Sequence, residues 1–309
     1  MGQYNRVNYQ ELKAKFTFLL ILSLSLLLVL PLAASGVSDG RLVQVLSTGC
    51  IDWSAGTIRV RGVAAPATID DGESPDTPSD IFDAARRIAQ SNLIETVSVI
   101  PINAVSRIAE RMAQSADFRN GLISLSRNAS LTRQEYLSDG TVEIELTMHL
   151  TGGFSQFVLP EEIRQVDSVV TMSAIEPDAD KPAIPAGGTD GSAYTGLIID
   201  ATGIGAKPSL VPVVVDESGT VVYGPAFVSR EFAVSRGMSG FATTLAAARS
   251  DKRVGARPLV VKAIRTRSTG ETDLVVSSAD GARLRSSVVH LNFLKACRVS
   301  IVMDPEPGP

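Results

Sequence analysis

The stretch that decides the fold is SDGTVEIELTMHL at residues 138–150. It begins with Ser138-Asp139-Gly140, and an Asp-Gly pair between two β-favouring runs suits the turn geometry that matches strand twist. The run after the turn alternates between apolar and polar residues, as a strand with one buried face and one wet face requires. Its apolar residues are Val142, Ile144, Leu146, Met148 and Leu150, and its polar residues are Glu143, Glu145, Thr147 and His149. The stretch therefore predicts a β-hairpin whose second strand lies against a core.

The chain upstream of this hairpin predicts two more strands and two helices. Residues 41–64 contain two β-favouring runs around Gly56 and predict another hairpin. Apolar residues recur at helical spacing from Ile81 to Val97, and again from Val105 to Ala113. The order strand, strand, helix, helix, strand, strand suits an antiparallel sheet with helices packed on its apolar face. We therefore expect an α+β unit over residues 37–163.

The rest of the chain predicts a second unit. Residues 164–193 are rich in Pro, Gly and Asp and predict a linker. A mixed α+β unit is expected over residues 194–304, and the tail at 305–309 offers nothing to pack and is expected to be disordered. The predicted strands of this second unit lie at 195–201, 209–216, 220–225, 258–267, 272–279 and 298–304. Its predicted helices cover residues 241–249, with Ser239 as the cap, and residues 282–297.

The N-terminal 36 residues have the pattern of an export signal. An uncharged apolar run from Phe16 to Leu30 follows a short segment that carries Arg6, Lys13 and Lys15. Small residues after Pro31 predict cleavage near residue 36, which would place the protein in the periplasm or cell envelope of a bacterium. The alternative is an uncleaved anchor, because residues 32–34 extend the run to a marginal membrane span. That anchor would be the only part of the chain to meet a membrane.

The net charge of the chain and its two cysteines limit which partners and which covalent attachments are expected. The whole chain has a net charge of −4, and because residues 1–36 are basic the remainder is more acidic still. Nucleic acid is therefore excluded as a partner, since phosphate binding needs concentrated Lys and Arg. The motif LSTGC at residues 46–50 resembles a lipoprotein signal end, but it follows a polar segment, so we expect no lipid on Cys50. Cys50 and Cys297 either form one disulfide or remain two free thiols.

No residue pattern predicts catalytic chemistry, a cofactor or a metal. Gly203-Ile204-Gly205 follows a predicted strand, but Pro208 stands where a third glycine would be and no helix follows, so a nucleotide site is not expected. The two histidines, His149 and His290, have no metal-ligand partner at useful spacing. We therefore assign no catalytic, cofactor-binding or metal-binding residue and expect a protein that is not an enzyme.

A family resemblance adds a functional expectation for the first unit. Three segments, in this order, resemble the LPP-twenty family of bacterial envelope lipoproteins: IDWSAGTIRVRGVAAPA, DAARRIAQSNLIETV and SDGTVEIELTMHLTGGF. That family includes the flagellar protein FlgP and is related in fold to the N-terminal domain of FlgT. The resemblance covers roughly residues 41–163. It implies a periplasmic or outer-membrane-associated location, a role in envelope or flagellar basal-body structures, and no enzymatic activity. This chain departs from the family pattern because it lacks a lipobox at the end of its signal.

Two hypotheses of different class follow. The first is an exported, non-enzymatic structural or assembly component of the cell envelope, associated with flagella in one setting, that binds envelope proteins or further copies of itself. Its candidate interface is the polar strand face formed by Glu143, Glu145, Thr147 and His149, or the edge of that sheet. The alternative is a periplasmic binding module for a cell-wall polymer or small ligand in a groove between the two units. A single tryptophan and few aromatic residues argue against sugar stacking in such a groove.

Overall fold

Fourteen strands and eight helices make up the part of the chain that the computed structural model describes, namely residues 40–66, 77–163, 194–267 and 271–305. The strands are β1 (Val43–Leu46), β2 (Gly49–Asp52), β3 (Thr57–Ala64), β4 (Pro101–Asn103), β5 (Ser106–Arg107), β6 (Ser130–Tyr136), β7 (Val142–His149), β8 (Gly196–Asp200), β9 (Val214–Asp216), β10 (Val221–Tyr223), β11 (Gly240–Ala242), β12 (Pro258–Thr266), β13 (Leu274–Val276) and β14 (Val299–Val302). The helices are α1 (Pro78–Ser98), α2 (Ile108–Gln114), α3 (Ala116–Arg127), α4 (Gly153–Val158), α5 (Arg230–Arg236), α6 (Leu245–Ser250), α7 (Ser278–Arg285) and α8 (Val288–Lys295). The predicted α+β class is confirmed. The predicted signal segment, the predicted linker at 164–193 and nearly all of the predicted tail lie outside the described residues.

The first half of the described chain is a five-stranded antiparallel sheet in the order β1-β2-β3-β7-β6. Helix α1 packs against β3 and β7 on one face of this sheet. Gly62 in β3 permits that packing, because a Cβ there would collide with the Ala85 carbonyl and lie 2.6 Å from the Ala89 backbone nitrogen. The core between helix and sheet contains Ile58, Leu93 and their neighbours, all fully buried.

The hairpin predicted at residues 138–150 is confirmed. β6 and β7 pair antiparallel, and Gly140 adopts a φ of +85° in the turn that joins them. The apolar residues Val142, Ile144 and Leu146 face the core and are buried, as their alternation predicts. The sequence alone was sufficient to predict this hairpin, because the turn residues and the two-residue alternation of the following strand indicate the same structure.

Two other predictions for the first half are wrong in part. Residues 41–64 form three strands rather than two. The apolar residues from Val105 to Ala113 do not form one helix, because Pro101–Asn103 is the strand β4 and Val105 lies in the turn between β4 and β5 with 76% of its surface exposed. Helix α2 begins only at Ile108, and α3 follows it without having been predicted.

The second half is a seven-stranded mixed sheet in the order β10-β9-β13-β12-β8-β14-β11. β8 runs parallel to both β12 and β14 at its centre. Residues Leu197 to Ile199 of β8 are fully buried, as expected for a strand covered on both faces. The predicted pairs β12/β13 and the predicted final strand β14 are confirmed.

Three details of the second half differ from prediction. The run from Gly240 to Ala242 is strand β11, so the following helix α6 is capped by Thr244 and not by Ser239. The single helix predicted at 282–297 is two helices. The Ser287 side chain accepts a hydrogen bond from the Val289 amide and so caps a new helix that begins at Val288. Of the strand predicted at 209–216, only its end forms β9.

The two halves share one continuous hydrophobic core. Trp53 of the first half meets Phe241 of the second in a T-shaped contact with ring centroids 5.6 Å apart. The Ser54 hydroxyl donates a hydrogen bond of 2.6 Å to the Phe241 carbonyl oxygen. The Leu210 and Val211 amides donate to the carbonyl oxygens of Pro101 and Ile102 in β4. The halves therefore pack as one body, although each has its own sheet.

Candidate functional site

The predicted interface residues Glu143, Glu145, Thr147 and His149 all lie on the outer face of the first sheet, away from α1. Arg61 on the neighbouring strand approaches Glu143, with Nη1 3.7 Å from Oε2. On the other side, the Thr132 hydroxyl donates to Glu145 Oε1 at 3.0 Å and lies 3.1 Å from the Thr147 hydroxyl. Polar neighbours within the sheet thus engage this face, and His149 is its most exposed member. The face is therefore polar, and Glu143, Glu145 and Thr147 each have a polar neighbour within the sheet.

The sequence analysis did not identify which strand forms the edge of this sheet: β6 is an edge strand, and every one of its residues is exposed. Its inner face is open because α1 packs on β3 and β7 and leaves β6 uncovered. Leu131 and Tyr136 are apolar or aromatic residues of this strand with 43% and 60% of their surface exposed. Among the described residues, no strand pairs with its outer edge. The segment SLTRQEY signals this in the sequence, because it lacks the apolar alternation of a half-buried strand.

The side chains of β6 are organised by contacts along the strand. Arg133 donates to Glu135 Oε1 through Nε at 2.9 Å and Nη2 at 2.5 Å, so this charge pair lies on one face. Gln134 donates to the Tyr136 hydroxyl at 2.6 Å on the other face. A bulge between Leu131 and Arg133 interrupts the pairing with β7. The regular part of the edge therefore runs from Arg133 to Tyr136.

A second candidate site is a pocket of about 550 Å³ at the junction of the two halves, which we call the junction pocket. It lies where the alternative hypothesis expected a groove between the units. The first half contributes Asn103, Ala104, Val105, Pro160 and Glu162, and the second half contributes Val211, Val213, Val221, Gly224, Pro225, Ala226, Phe227 and Asp273. Most of the lining is therefore apolar, and its two charged residues are both acids.

Asp273 is the buried polar residue of the junction pocket, with only 7% of its surface exposed. Its Oδ1 atom has no hydrogen-bond partner among the described residues. Arg267 reaches its other oxygen only at 3.8 Å, from a side chain that is half in solvent. Burial raises the pKa of Asp273, and the Val213 amide, Arg267 and the Thr272 hydroxyl oppose that rise only in part. The sequence analysis did not single out this residue, because its burial depends on strands from both sides of the pocket.

The two cysteines are free thiols in the structure, so the disulfide considered between them is not formed. Cys50 lies in β2, opposite Arg59 and on the first sheet. Cys297 is fully buried in the second half, where burial raises its pKa to about 11. Cys50 thus lies in a strand of the first half and Cys297 in the turn between α8 and β14, which leaves the alternative of two free thiols.

The remaining polar clusters have structural roles. Asp216 accepts hydrogen bonds from Ser218 and Arg285 and closes the turn after β9, and the Ser218 and Arg285 contacts lower its pKa to about 2. Gly203 and Gly205 have positive φ in the loop after β8, and no helix begins there to face a phosphate. His290 is packed in α8, with Nδ1 2.9 Å from the Arg283 carbonyl oxygen. Within residues 40–66, 77–163, 194–267 and 271–305, no three acidic, histidine or cysteine side chains cluster as metal ligands would.

In the part of the chain that the structure describes, no helix has both the length and the apolar character needed to cross a membrane.

Comparison with known proteins touches only the second half. Residues 196–305 match the family model described as Treponema pallidum Tp0624, second domain. The match runs from β8 to the end of the described chain and covers a little over a third of the sequence. A search of curated proteins found no match. Neither comparison links the first half to the LPP-twenty family, so that resemblance stays a prediction.

Proposed function

We propose that this protein is an exported, non-enzymatic component of the bacterial cell envelope, and that it assembles with further copies of itself through the free edge of β6. The basic and apolar pattern of residues 1–36 supports the export part of the proposal. The resemblance of residues 41–163 to LPP-twenty proteins supports an envelope role, with flagellar structures as one setting. The observation that carries the assembly part is the edge strand β6.

An exposed edge strand presents a row of unpaired backbone N–H and C=O groups, which is a template for pairing with another strand. Native proteins usually protect such an edge with a proline, charged side chains (lysine above all), a bulge or a covering element. The charged residues of β6, Arg133 and Glu135, bond to each other along the strand. β6 contains neither proline nor lysine, and the bulge near Leu131 protects only its first residues. The stretch from Arg133 to Tyr136 thus remains available.

The charges of β6 favour a second copy of the same strand as the partner. In an antiparallel pair centred on Gln134, Arg133 of one copy lies opposite Glu135 of the other, and the symmetry repeats this contact. Cross-strand pairs of opposite charge stabilise a sheet by roughly 0.2–1 kcal/mol each. Because the paired segment is short, we expect association at the high local concentration of an envelope and weaker association in dilute solution.

A cysteine placed at the centre of the pair tests this register. In Gln134→Cys with Cys50→Ser, the two new thiols would face each other at about 4.5–5.5 Å between Cα atoms, within the reach of a disulfide. We therefore expect a cross-linked dimer when the protein is oxidised in the native envelope. Tyr136→Cys with Cys50→Ser is the matched control, because it keeps Arg133 and Glu135. In this register Tyr136 lies opposite Thr132 of the other copy, so two thiols at residue 136 lie farther apart than the about 7–8 Å of diagonal residues.

Strong cross-linking at residue 134 and little at residue 136 would support both the surface and the register. Equal cross-linking at the two positions would show random collision. No dimer at either position, with both proteins exported at normal abundance, would overturn the proposed assembly.

A further inference from the structure

We infer that the outward side of α8, together with the basic residues beside it, docks the protein on a membrane that contains anionic phospholipid. This α8 surface consists of Arg283, Val288, Val289, Leu291, Lys295 and Arg298. It is separate from β6 and goes beyond the proposed assembly role. It also departs from the expectation that only the N-terminal segment would meet a membrane.

The outward side of α8 is apolar, whereas a surface helix of a globular protein is normally polar on that side. Val288, Val289 and Leu291 have 73%, 43% and 39% of their surface exposed. The inward side of the helix is buried against the second half through His290, Phe293 and Leu294. Packing within the protein therefore covers only part of the apolar surface of α8.

The exposed apolar residues of α8 form one patch. Val288 and Leu291 are three residues apart, so their side chains are neighbours on the helix surface. Lys295 lies four residues after Leu291 and thus on the same side. Its long aliphatic stem can lie along apolar surface while its ammonium group stays in a polar layer.

Two arginines are connected to α8 through the segment Tyr194-Thr195. The Tyr194 ring lies 5.6 Å from the His290 ring of α8, and the Arg283 guanidinium lies 5.1 Å from the centre of the same tyrosine ring. Arg298 donates through Nη1 to the Thr195 carbonyl oxygen at 3.5 Å. Both arginines are exposed. These cations and the outward side of α8 therefore belong to one surface.

The basic residues of the α8 surface have no acidic partner within the protein. Among the described residues, no carboxylate forms an ion pair with Arg283, Lys295 or Arg298. Arg285 nearby differs, because it pairs with Asp216 at 2.8 Å. The whole chain has a net charge of −4, so this local positive charge is not a general property of the protein. The surface therefore suits an anionic partner.

A membrane with anionic phospholipid matches both parts of this surface. Its headgroups attract arginine and lysine, and the boundary between headgroups and acyl chains accepts exposed valine and leucine side chains. Tyrosine, here Tyr194, is a residue that favours the headgroup level. A soluble anion would engage only the cations and leave the valines in water. Because α8 has eight residues and a membrane span needs about 20, the helix would lie on the membrane and not cross it.

Flotation with lipid vesicles tests the inference on the protein that lacks residues 1–36, which retains the whole compact unit Gly40–Pro309. We expect binding to vesicles of equal parts phosphatidylcholine and phosphatidylglycerol. Binding to vesicles of phosphatidylcholine alone should be at least about tenfold weaker, because the attraction to anionic headgroups is absent. Salt at about 0.5 M should weaken binding to the anionic vesicles, because it screens that attraction.

A first pair of substitutions removes the apolar contact and keeps the charge. Val288→Ser with Leu291→Ser should weaken binding to the anionic vesicles by about tenfold, because less apolar surface enters the membrane. The two residues are exposed, so the variant should fold. Val105→Ser with Ile88→Ser is the matched control. These residues lie in the first half with 76% and 41% of their surface exposed, and their substitution should leave binding unchanged.

A second pair of substitutions removes the charge and keeps the apolar contact. Arg283→Gln with Arg298→Gln should weaken binding to the anionic vesicles by about tenfold, since each basic residue near such a surface contributes to the attraction. Arg87→Gln with Arg127→Gln is the matched control, because it removes two exposed arginines from α1 and α3. It should leave binding unchanged.

Equal binding of the wild-type protein to the two kinds of vesicle would overturn the inference. So would binding to the anionic vesicles that neither pair of substitutions in the α8 surface alters. A wild-type protein that binds neither kind of vesicle at millimolar lipid would also overturn it, and an acidic protein would then be the better candidate for the partner of this surface.

Discussion

At the scale of single residues, the burial of a side chain decides its chemistry here more than its type does. The two cysteines show this, because both are thiols yet their surroundings differ. Cys50 is half-buried in β2 of the first sheet, whereas Cys297 is fully buried and its pKa is raised to about 11. A neutral buried thiol is a poor nucleophile, since the thiolate is the reactive form.

We therefore predict that the native protein exposes one reactive thiol and hides the other. With a thiol-specific reagent at pH 8, Cys50 should react within minutes and Cys297 only after denaturation. Cys50→Ser should remove the reaction of the native protein and leave one thiol in denaturant. If denatured protein that has never been reduced contains no free thiol, the two cysteines are paired and the arrangement described here is wrong.

At the scale of elements, close packing between α1 and β3 determines the shape of the first half. Gly62 is the residue that allows it, because the helix backbone at Ala85 and Ala89 occupies the place of a side chain. A larger residue would force the whole helix outward rather than one flexible side chain.

Gly62→Ala should therefore destabilise the protein by about 1–3 kcal/mol, the usual cost of overpacking. Gly153→Ala is the matched control, since a Cβ at Gly153 meets no atom within 4 Å, and it should change the free energy of unfolding by less than about 0.5 kcal/mol. Urea denaturation of the two variants measures both values. A Gly62→Ala variant as stable as the control would contradict the packing of α1 on β3.

The elements that could be predicted from the sequence are those whose signals are local. The β6–β7 hairpin follows from Asp139-Gly140 and an uninterrupted alternation, and α1 follows from its apolar spacing. The region after Pro101 could not be predicted in this way, because β4 is held by backbone hydrogen bonds from Leu210 and Val211, more than a hundred residues later. The helix pair α7 and α8 was missed for the opposite reason: one serine, Ser287, caps a new helix inside a continuous helical pattern.

The candidate sites differ in the same way: one follows from a local sequence pattern, and the others depend on how the elements pack. The polar face with Glu143 and Glu145 was predictable, because alternation alone determines which side chains share a face. That β6 lies uncovered at the edge of the sheet was not, since it depends on where α1 packs. The junction pocket was least accessible to sequence reasoning, because Val105 and Asp273 meet only when both halves are folded.

At the scale of the whole molecule, the two halves form one body, and β6 lies at an edge of the first sheet with all of its residues exposed. Trp53 packs on Phe241 across the junction, and the shared core extends through both sheets. One compact body presents β6 at a single place on its surface, which suits repeated assembly through one edge. The central claim is therefore that two copies pair through β6 with Arg133 opposite Glu135.

Exchange of these two charges tests that claim most directly, by sedimentation equilibrium of the protein without residues 1–36 over a range of concentrations. Arg133→Glu and Glu135→Arg should each weaken dimerisation by about threefold or more, because each places like charges opposite each other twice. The double variant Arg133→Glu with Glu135→Arg should restore the wild-type dimerisation constant, while Arg249→Glu, an equal charge change on the exposed end of α6, should leave it unaltered. A wild-type protein that stays monomeric at every concentration, or single and double variants that dimerise alike, would contradict the account.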